Sequence, residues 1–322
     1  MRRPGAHLLA LALLGVACAV PKGPGSAPPV AGTPAPAPPP PRQAPQSQDP
    51  FAPPDRSQPP WSQTPVRLLG VGEVEAGAAA DGMSWRIGTA RGTVWAWRPA
   101  GYRARDAGTC IYLHGYFTNV DQAVADHRLA DQFAASGRNA LFIVAEAPAW
   151  NGEEGVWPDL EELLSETFRR IGLKAPPGPV VVMGHSGAFR PILSWLGDPR
   201  LEEIILLDGL YRGEAQLRGW LFDNGNGGGS GKNRSGKGNG RARPHRLVLV
   251  SAETLPAAEA LAASVPDALS LGEVPTPGAG LDGPARSAQL LHLKSQHQHM
   301  EIVESGEVLP VVLRASHLPA LP

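Results

Sequence analysis

Gly184-His185-Ser186-Gly187-Ala188 sets one serine among small residues, at the joint between the apolar run 179–183 and a segment in which Phe189, Ile192, Leu193 and Leu196 recur at helical spacing. A hydroxyl held between a buried strand and a helix attacks a carbonyl carbon once its proton is removed, and an imidazole with a pKa near about 6.5 is the group for that task. Lys294-Ser295-Gln296-His297-Gln298-His299-Met300 offers two imidazoles close to the end of the chain, whereas His292 alternates within a strand and reads as a packed side chain. The base needs a carboxylate that fixes its tautomer. Asp208 ends the run 204–207, and Glu253 follows the run 246–250. Each residue also has a plainer reading: Ser186 as a helix N-cap, Asp208 as the turn residue before Gly209, Glu253 as an acid suited to a helix N-terminus.

These residues, in this order, resemble the α/β-hydrolases. Residues 184–188 match the nucleophile elbow Gly-x-Ser-x-Gly with Ala188 in place of the last glycine, and the order Ser, acid, His is that of the family. The resemblance spans roughly 82–314 and implies Ser186 as nucleophile. It favours His299 over His297 as base, because His-Met followed by Glu301-Ile302-Val303 is similar to the histidine segment of exported hydrolases of this kind. It favours Asp208 through the run Leu-Leu-Asp-Gly-Leu-Tyr, although the position of Glu253 is the commoner one for the acid. An oxyanion would be met by the amides of Gly187 and of Tyr116, the latter in the loop Leu113-His114-Gly115-Tyr116, where His114 is expected to hold the loop rather than react.

Something must hold these residues at one edge. β-rich runs at 82–87, 93–98, 109–113, 140–145, 179–183, 204–207, 246–250 and 289–293 alternate with helical patterns at 121–136, 160–171 and 307–314. That alternation predicts an α/β fold with a mostly parallel central sheet covered by helices on both faces, the first two runs forming a hairpin. Chemistry then belongs at the carboxyl ends of the strands. The loop 148–157, with Trp150 and Trp157, falls at that edge, where the tryptophans either wall a substrate or plug the core.

The amino-terminal portion has a different composition. Residues 1–18 combine Arg2 and Arg3, an apolar stretch and a small-residue run ending at Cys18, the pattern of an export signal. Gly15-Val16-Ala17-Cys18 resembles a lipobox, which implies lipidation of Cys18 and a cell-envelope location; cleavage at an Ala-x-Ala site, with a periplasmic or secreted product, is the alternative. Residues 19–65 are rich in Pro, Ala, Gly and Ser and read as a disordered linker, whose 45 or so residues reach on the order of 140 Å if extended. The hydrolase domain is expected over 66–322, with a Gly- and Asn-rich insert at about 223–243 that lacks the apolar underside of a lid.

Only two cysteines occur, so a disulfide framework is excluded and Cys110 reads as a core residue. A net charge of −1 gives no reason to expect a nucleic-acid partner. No cofactor motif is present, and His297 and His299 lack companions at metal-ligand spacing. The oligomeric state is not encoded in any pattern. Two function classes follow: an exported serine hydrolase acting on a small-molecule or polymeric acyl substrate, and a catalytically inactive envelope binding protein on the same scaffold.

Overall fold

The computed structural model describes residues 67–223 and 244–322. The export signal with Cys18, the Pro-rich linker and nearly all of the Gly-rich insert lie outside the described residues. Three strands come first, β1 (Val74–Ala79), β2 (Gly82–Thr89) and β3 (Gly92–Pro99), followed by β4 (Gly108–Leu113), α1 (Val120–Asp126), α2 (Leu129–Ser136) and β5 (Ala140–Ala145). Next are α3 (Leu160–Ile171), β6 (Val180–His185), α4 (Phe189–Ser194), β7 (Leu201–Leu207) and α5 (Glu214–Phe222). After the insert come β8 (Arg246–Ser251), α6 (Leu255–Ser264), β9 (Leu269–Leu271), α7 (Gly283–Ser287), β10 (Leu290–Lys294), α8 (Glu301–Glu304) and α9 (Val308–Ala315).

The strands form one sheet in the order β1-β2-β3-β5-β4-β6-β7-β8-β10-β9. Pairings from β1 through β3 to β5 are antiparallel, and all those from β5 to β9 are parallel. The apolar runs of β4, β5, β6 and β8 are buried along their whole length, as strands covered on both faces must be. Alternate residues feed two cores. Ile111, Ile143, Val182, Ile204 and Leu249 meet Leu163, Ile192, Leu217 and Leu261 of α3 to α6 on one face. Tyr112, Phe142, Met183, Ile205 and Val248 meet Leu129, Phe133, Val308 and Val312 of α2 and α9 on the other. Cys110 is part of this second core, and its burial pushes the thiol pKa up, away from reactive thiolate chemistry.

The expected helix over 121–136 is two helices. It starts where the Asn119 side chain accepts the Gln122 amide at 3.0 Å. It breaks at His127 and Arg128, the latter at φ 48°. His127 is turned inward, with Nδ1 3.2 Å from the Tyr112 hydroxyl, and its carbonyl accepts the Gln132 side chain at 2.6 Å. The expected leading hairpin is present, extended by the edge strand β1.

Helix α3 forms for reasons visible in its sequence. Asp159 caps it by accepting the Glu162 amide at 2.7 Å, Glu161 and Glu162 occupy the first turn, Arg169 and Arg170 the last, and Gly172 ends it at φ 67°. At the amino edge of the sheet, α5 returns toward β8 across a clamp in which the Trp220 and His245 rings stack at 4.4 Å and His245 Nδ1–H donates to Trp220 O at 2.6 Å.

Candidate active site

Five parallel strands end at one edge, and the loops that leave them carry His114 to Tyr116, Ser186, Asp208, Glu253 and His299. The elbow is a strained turn. Ser186 has φ 53°, in the left-handed region that a residue with a Cβ enters only when its surroundings hold it there. Small neighbours make the turn possible. A Cβ on Gly187 would lie 2.3 Å from the Tyr116 ring, and one on Gly115 would lie 3.0 Å from Ser186 Cβ, so the 115–116 loop runs directly against the elbow. The departure Ala188 fits because Gly184, opposite its methyl, has no side chain: a Cβ there would lie 3.1 Å from that of Ala188.

Strand, strained turn and helix stand in the middle of a sheet that is parallel on both sides of β6. This is an α/β-hydrolase fold.

No protein-family model matches the sequence, and no curated protein does. Solved structures similar to it include an S-formylglutathione hydrolase from Agrobacterium tumefaciens, at 9% identity over 77% of this chain and 99% of that one, with a TM-score of 0.45. A mutant feruloyl esterase module from Clostridium thermocellum complexed with sinapinate matches at 11% identity over 76% and 95%, with a TM-score of 0.46. A predicted CIB-like hydrolase from Thermoplasma acidophilum matches at 12% identity over 75% and 95%, with a TM-score of 0.40. Likenesses at this level assign no residue and no substrate to this chain; both must come from its own geometry.

Asp208 is the most heavily bonded group at the edge. Its side chain has no exposed surface. Oδ1 accepts the Ala252 amide at 2.9 Å, the Thr254 amide at 2.9 Å and the Thr254 hydroxyl at 2.8 Å. Oδ2 accepts the Glu253 amide at 3.1 Å and lies 2.7 Å from His299 Nδ1. Burial alone would raise the carboxyl pKa, but the bonds from His299, Thr254 and Ala252 outweigh it and hold Asp208 below the usual carboxylate range. The backbone is strained here too, with Asp208 at φ 46°.

With Nδ1–H of His299 given to Asp208, Nε2 is the ring nitrogen left without a proton. Glu253 reaches the same imidazole from outside. It lies 3.9 Å from His299 Nδ1, too far for a hydrogen bond, and its side chain is 59% exposed. His297 points elsewhere, with Nε2 3.2 Å from Glu307. His292 is packed in β10 beside Ser251 Oγ at 2.8 Å, and His114 holds its loop with Nδ1–H donating to Gly115 O at 2.8 Å and Nε2 2.8 Å from Glu146. Of the two tryptophans, Trp157 is buried in the core, and Trp150 is half-buried at the surface.

Two residues join the site that sequence reasoning assigned no part in it. The Tyr211 hydroxyl is in hydrogen-bonding contact with the Ser186 side chain and donates to Glu253 Oε2 at 3.3 Å. Burial, and then the charges of Asp208 and Glu253, push its pKa up, so the phenol keeps its proton. Its spacing from Asp208 was the available signal: a strand end that delivers the acid delivers a side chain three residues on. His185, the second elbow residue, is buried with Nε2–H donating to the His299 carbonyl at 3.1 Å, and its ring lies 4.6 Å from that of His299. Burial, then His299 and His127, push His185 down to about 3, which keeps it neutral and a single-proton donor.

Asp208, Glu253 and His299 each bring one potential metal ligand within 4.8 Å of the others. The same Asp208 oxygens already accept five protein donors, so a cation there would compete with the bonds that orient His299. No helix of the described residues is long and apolar enough to cross a membrane.

Proposed function

We propose that this chain is a serine hydrolase that cleaves a carboxylic ester or amide through an acyl-enzyme. The observation that carries the reading is the 2.7 Å contact between His299 Nδ1 and the fully buried Asp208, at the same edge as a serine in a strained elbow. Ser186 Oγ attacks the carbonyl carbon as its proton passes to His299 Nε2, while Asp208 holds the imidazole in that tautomer and faces the imidazolium charge. The negative oxygen formed is met by the Gly187 and Tyr116 amides. Collapse breaks the bond to the leaving group, which departs with the proton from His299. Water, activated by the same imidazole, then releases the acid and restores Ser186.

Labelling of the protein with a fluorophosphonate tests this. Labelling lost in Ser186→Ala and in His299→Ala, with folding retained, supports an activated serine. A folded wild-type protein that stays unlabelled leaves the scaffold as a binding protein.

The reading extends to location through the sequence alone. An export signal ending at Cys18 supports an enzyme tethered to the cell envelope by lipid on that cysteine. Cys18→Ser should then move the protein from the membrane fraction to the soluble one, and an unchanged distribution argues for free export.

A further inference from the structure

Arg190 lies four residues beyond Ser186, on α4, and is half-buried. Its Nη1 donates to Asn151 O at 2.7 Å and to the Tyr116 hydroxyl at 3.3 Å. Tyr116 Oη in turn donates to Asn151 Oδ1 at 3.4 Å. Because the ring of Tyr116 is the group packed against Gly187, the guanidinium stands one phenol away from the two amides assigned to the oxyanion.

Both acceptors of Arg190 are neutral. Arg86, Arg91, Arg200 and Arg246 all face carboxylates, on Asp121, Glu162, Asp198 and Glu203. Among the described residues Arg190 faces none. Among the described residues its bonds use Nη1, so the Nε and Nη2 edge, the side that meets a carboxylate with two parallel bonds, has no acceptor among them. The bonds to Tyr116 and Asn151 hold the fork in place, and a guanidinium keeps its charge at every working pH.

The other flank has the opposite sign. The leaving group is protonated from His299 Nε2, and the exposed Glu253 carboxylate stands beside the same ring, 3.9 Å from its other nitrogen, Nδ1. An anionic leaving group would be repelled at that flank, so a negative charge belongs on the acyl portion.

Resting on the serine hydrolase reading, we propose that Arg190 is an anion subsite for the acyl portion of the substrate, which makes the substrate class an ester or amide of a carboxylate-bearing acid. The field of a cation that faces no carboxylate among the described residues also draws such a substrate in, more strongly at low salt.

The test compares mono-p-nitrophenyl glutarate with p-nitrophenyl valerate, acyl groups of equal chain length that differ in a terminal carboxylate. The readout is the ratio of their kcat/KM values with the full chain. Arg190→Gln should lower the ratio about tenfold, and Arg190→Lys should lower it less, since lysine keeps the charge without the fork. Any loosening of Tyr116 in the variant affects both esters and cancels in the ratio. Where turnover is too slow to follow, the ratio is read from how strongly each ester slows fluorophosphonate labelling of Ser186. A ratio that changes less than about twofold in Arg190→Gln while Ser186 still labels overturns the subsite alone. Absence of labelling in the wild type overturns the hydrolase reading and the subsite with it.

Discussion

Asp208→Asn isolates the acid of the site with a change of one atom. Oδ1 of Asp208 sits where three donors converge, and Oδ2 faces the Glu253 amide and His299 Nδ1. An asparagine therefore keeps its oxygen on the first side and turns its NH2 toward the second. There it meets the Glu253 N–H, donor against donor, and the imidazole. His299 accommodates it by accepting at Nδ1 and carrying its proton on Nε2, the nitrogen that accepts from Ser186 in the proposed mechanism. The base is then in the wrong tautomer, which costs about 10⁴-fold in kcat. Two bonds to a charged acceptor are lost as well, at about 1.5–3 kcal/mol each, so the variant should be less stable by roughly 3–6 kcal/mol. The assay is steady-state hydrolysis of p-nitrophenyl acetate beside a denaturant melt, so that loss of chemistry is separated from loss of fold. Glu253→Gln is the companion variant: an exposed carboxylate 3.9 Å from Nδ1 should matter only a few-fold. If folded Asp208→Asn stays within about tenfold of wild type, or if Glu253→Gln is the variant that collapses turnover, the tautomer reasoning is wrong and the working acid is Glu253.

Burial pushes His185 down to about 3 and His127 down to about 4, so between those values and the unfolded value of about 6.5 the unfolded chain binds the extra protons. Stability is thus full above about pH 6.5 and falls as the pH drops toward 4 and below, by up to about 1.4 kcal/mol per pH unit for each histidine; urea melts at pH 7, 6 and 5 measure the slope, and His185→Gln should flatten it. Tyr211→Phe removes the hydroxyl that touches Ser186 and should lower kcat roughly five- to tenfold with little change in melting, the value of one neutral hydrogen bond. Unchanged kcat would leave Tyr211 as packing only. Glu203→Ala strands Arg246, which is 2% exposed, and should cost about 3–5 kcal/mol in a melt while the activity of the folded fraction, far from this pair, is retained.

Much of the scaffold was legible because buried parallel strands are written as unbroken apolar runs, and 140–145 could be read to the residue. β1 was not, since Val-Glu-Ala-Gly-Ala-Ala has no apolar alternation; it is an exposed edge strand defined by pairing with β2. The break at His127 was hidden for a related reason: its cause is a contact with Tyr112 on another element. Ser186 and the candidate bases His297 and His299 could be named from local chemistry, and the fold brings His299, not His297, to Asp208. The choice between Asp208 and Glu253 could not be made that way, because both follow strand ends that face one imidazole. Burial and five donors favour Asp208 in the proposed mechanism, and those donors come from 252–254 and His299, remote in sequence from Asp208. Tyr211 and Arg190 escaped notice because each gains its meaning from a neighbour that only the fold supplies.

The Trp220–His245 clamp gives the chain a place to vary. Asp223 and Pro244, where the described backbone leaves and returns, flank α5 and the first residue of β8, at the amino edge of the sheet, while every group assigned to the reaction sits at the carboxyl edge. The stacked rings and the His245 bond close the scaffold before the intervening residues are reached. Length between those two points is thermodynamically undemanding, since doubling a connecting loop costs only about 0.6 kcal/mol. Asp223 and Pro244 are therefore the points between which a tag, a fluorescent domain or a second binding module would be spliced, both at the edge opposite the strand ends that carry Ser186, Asp208 and His299.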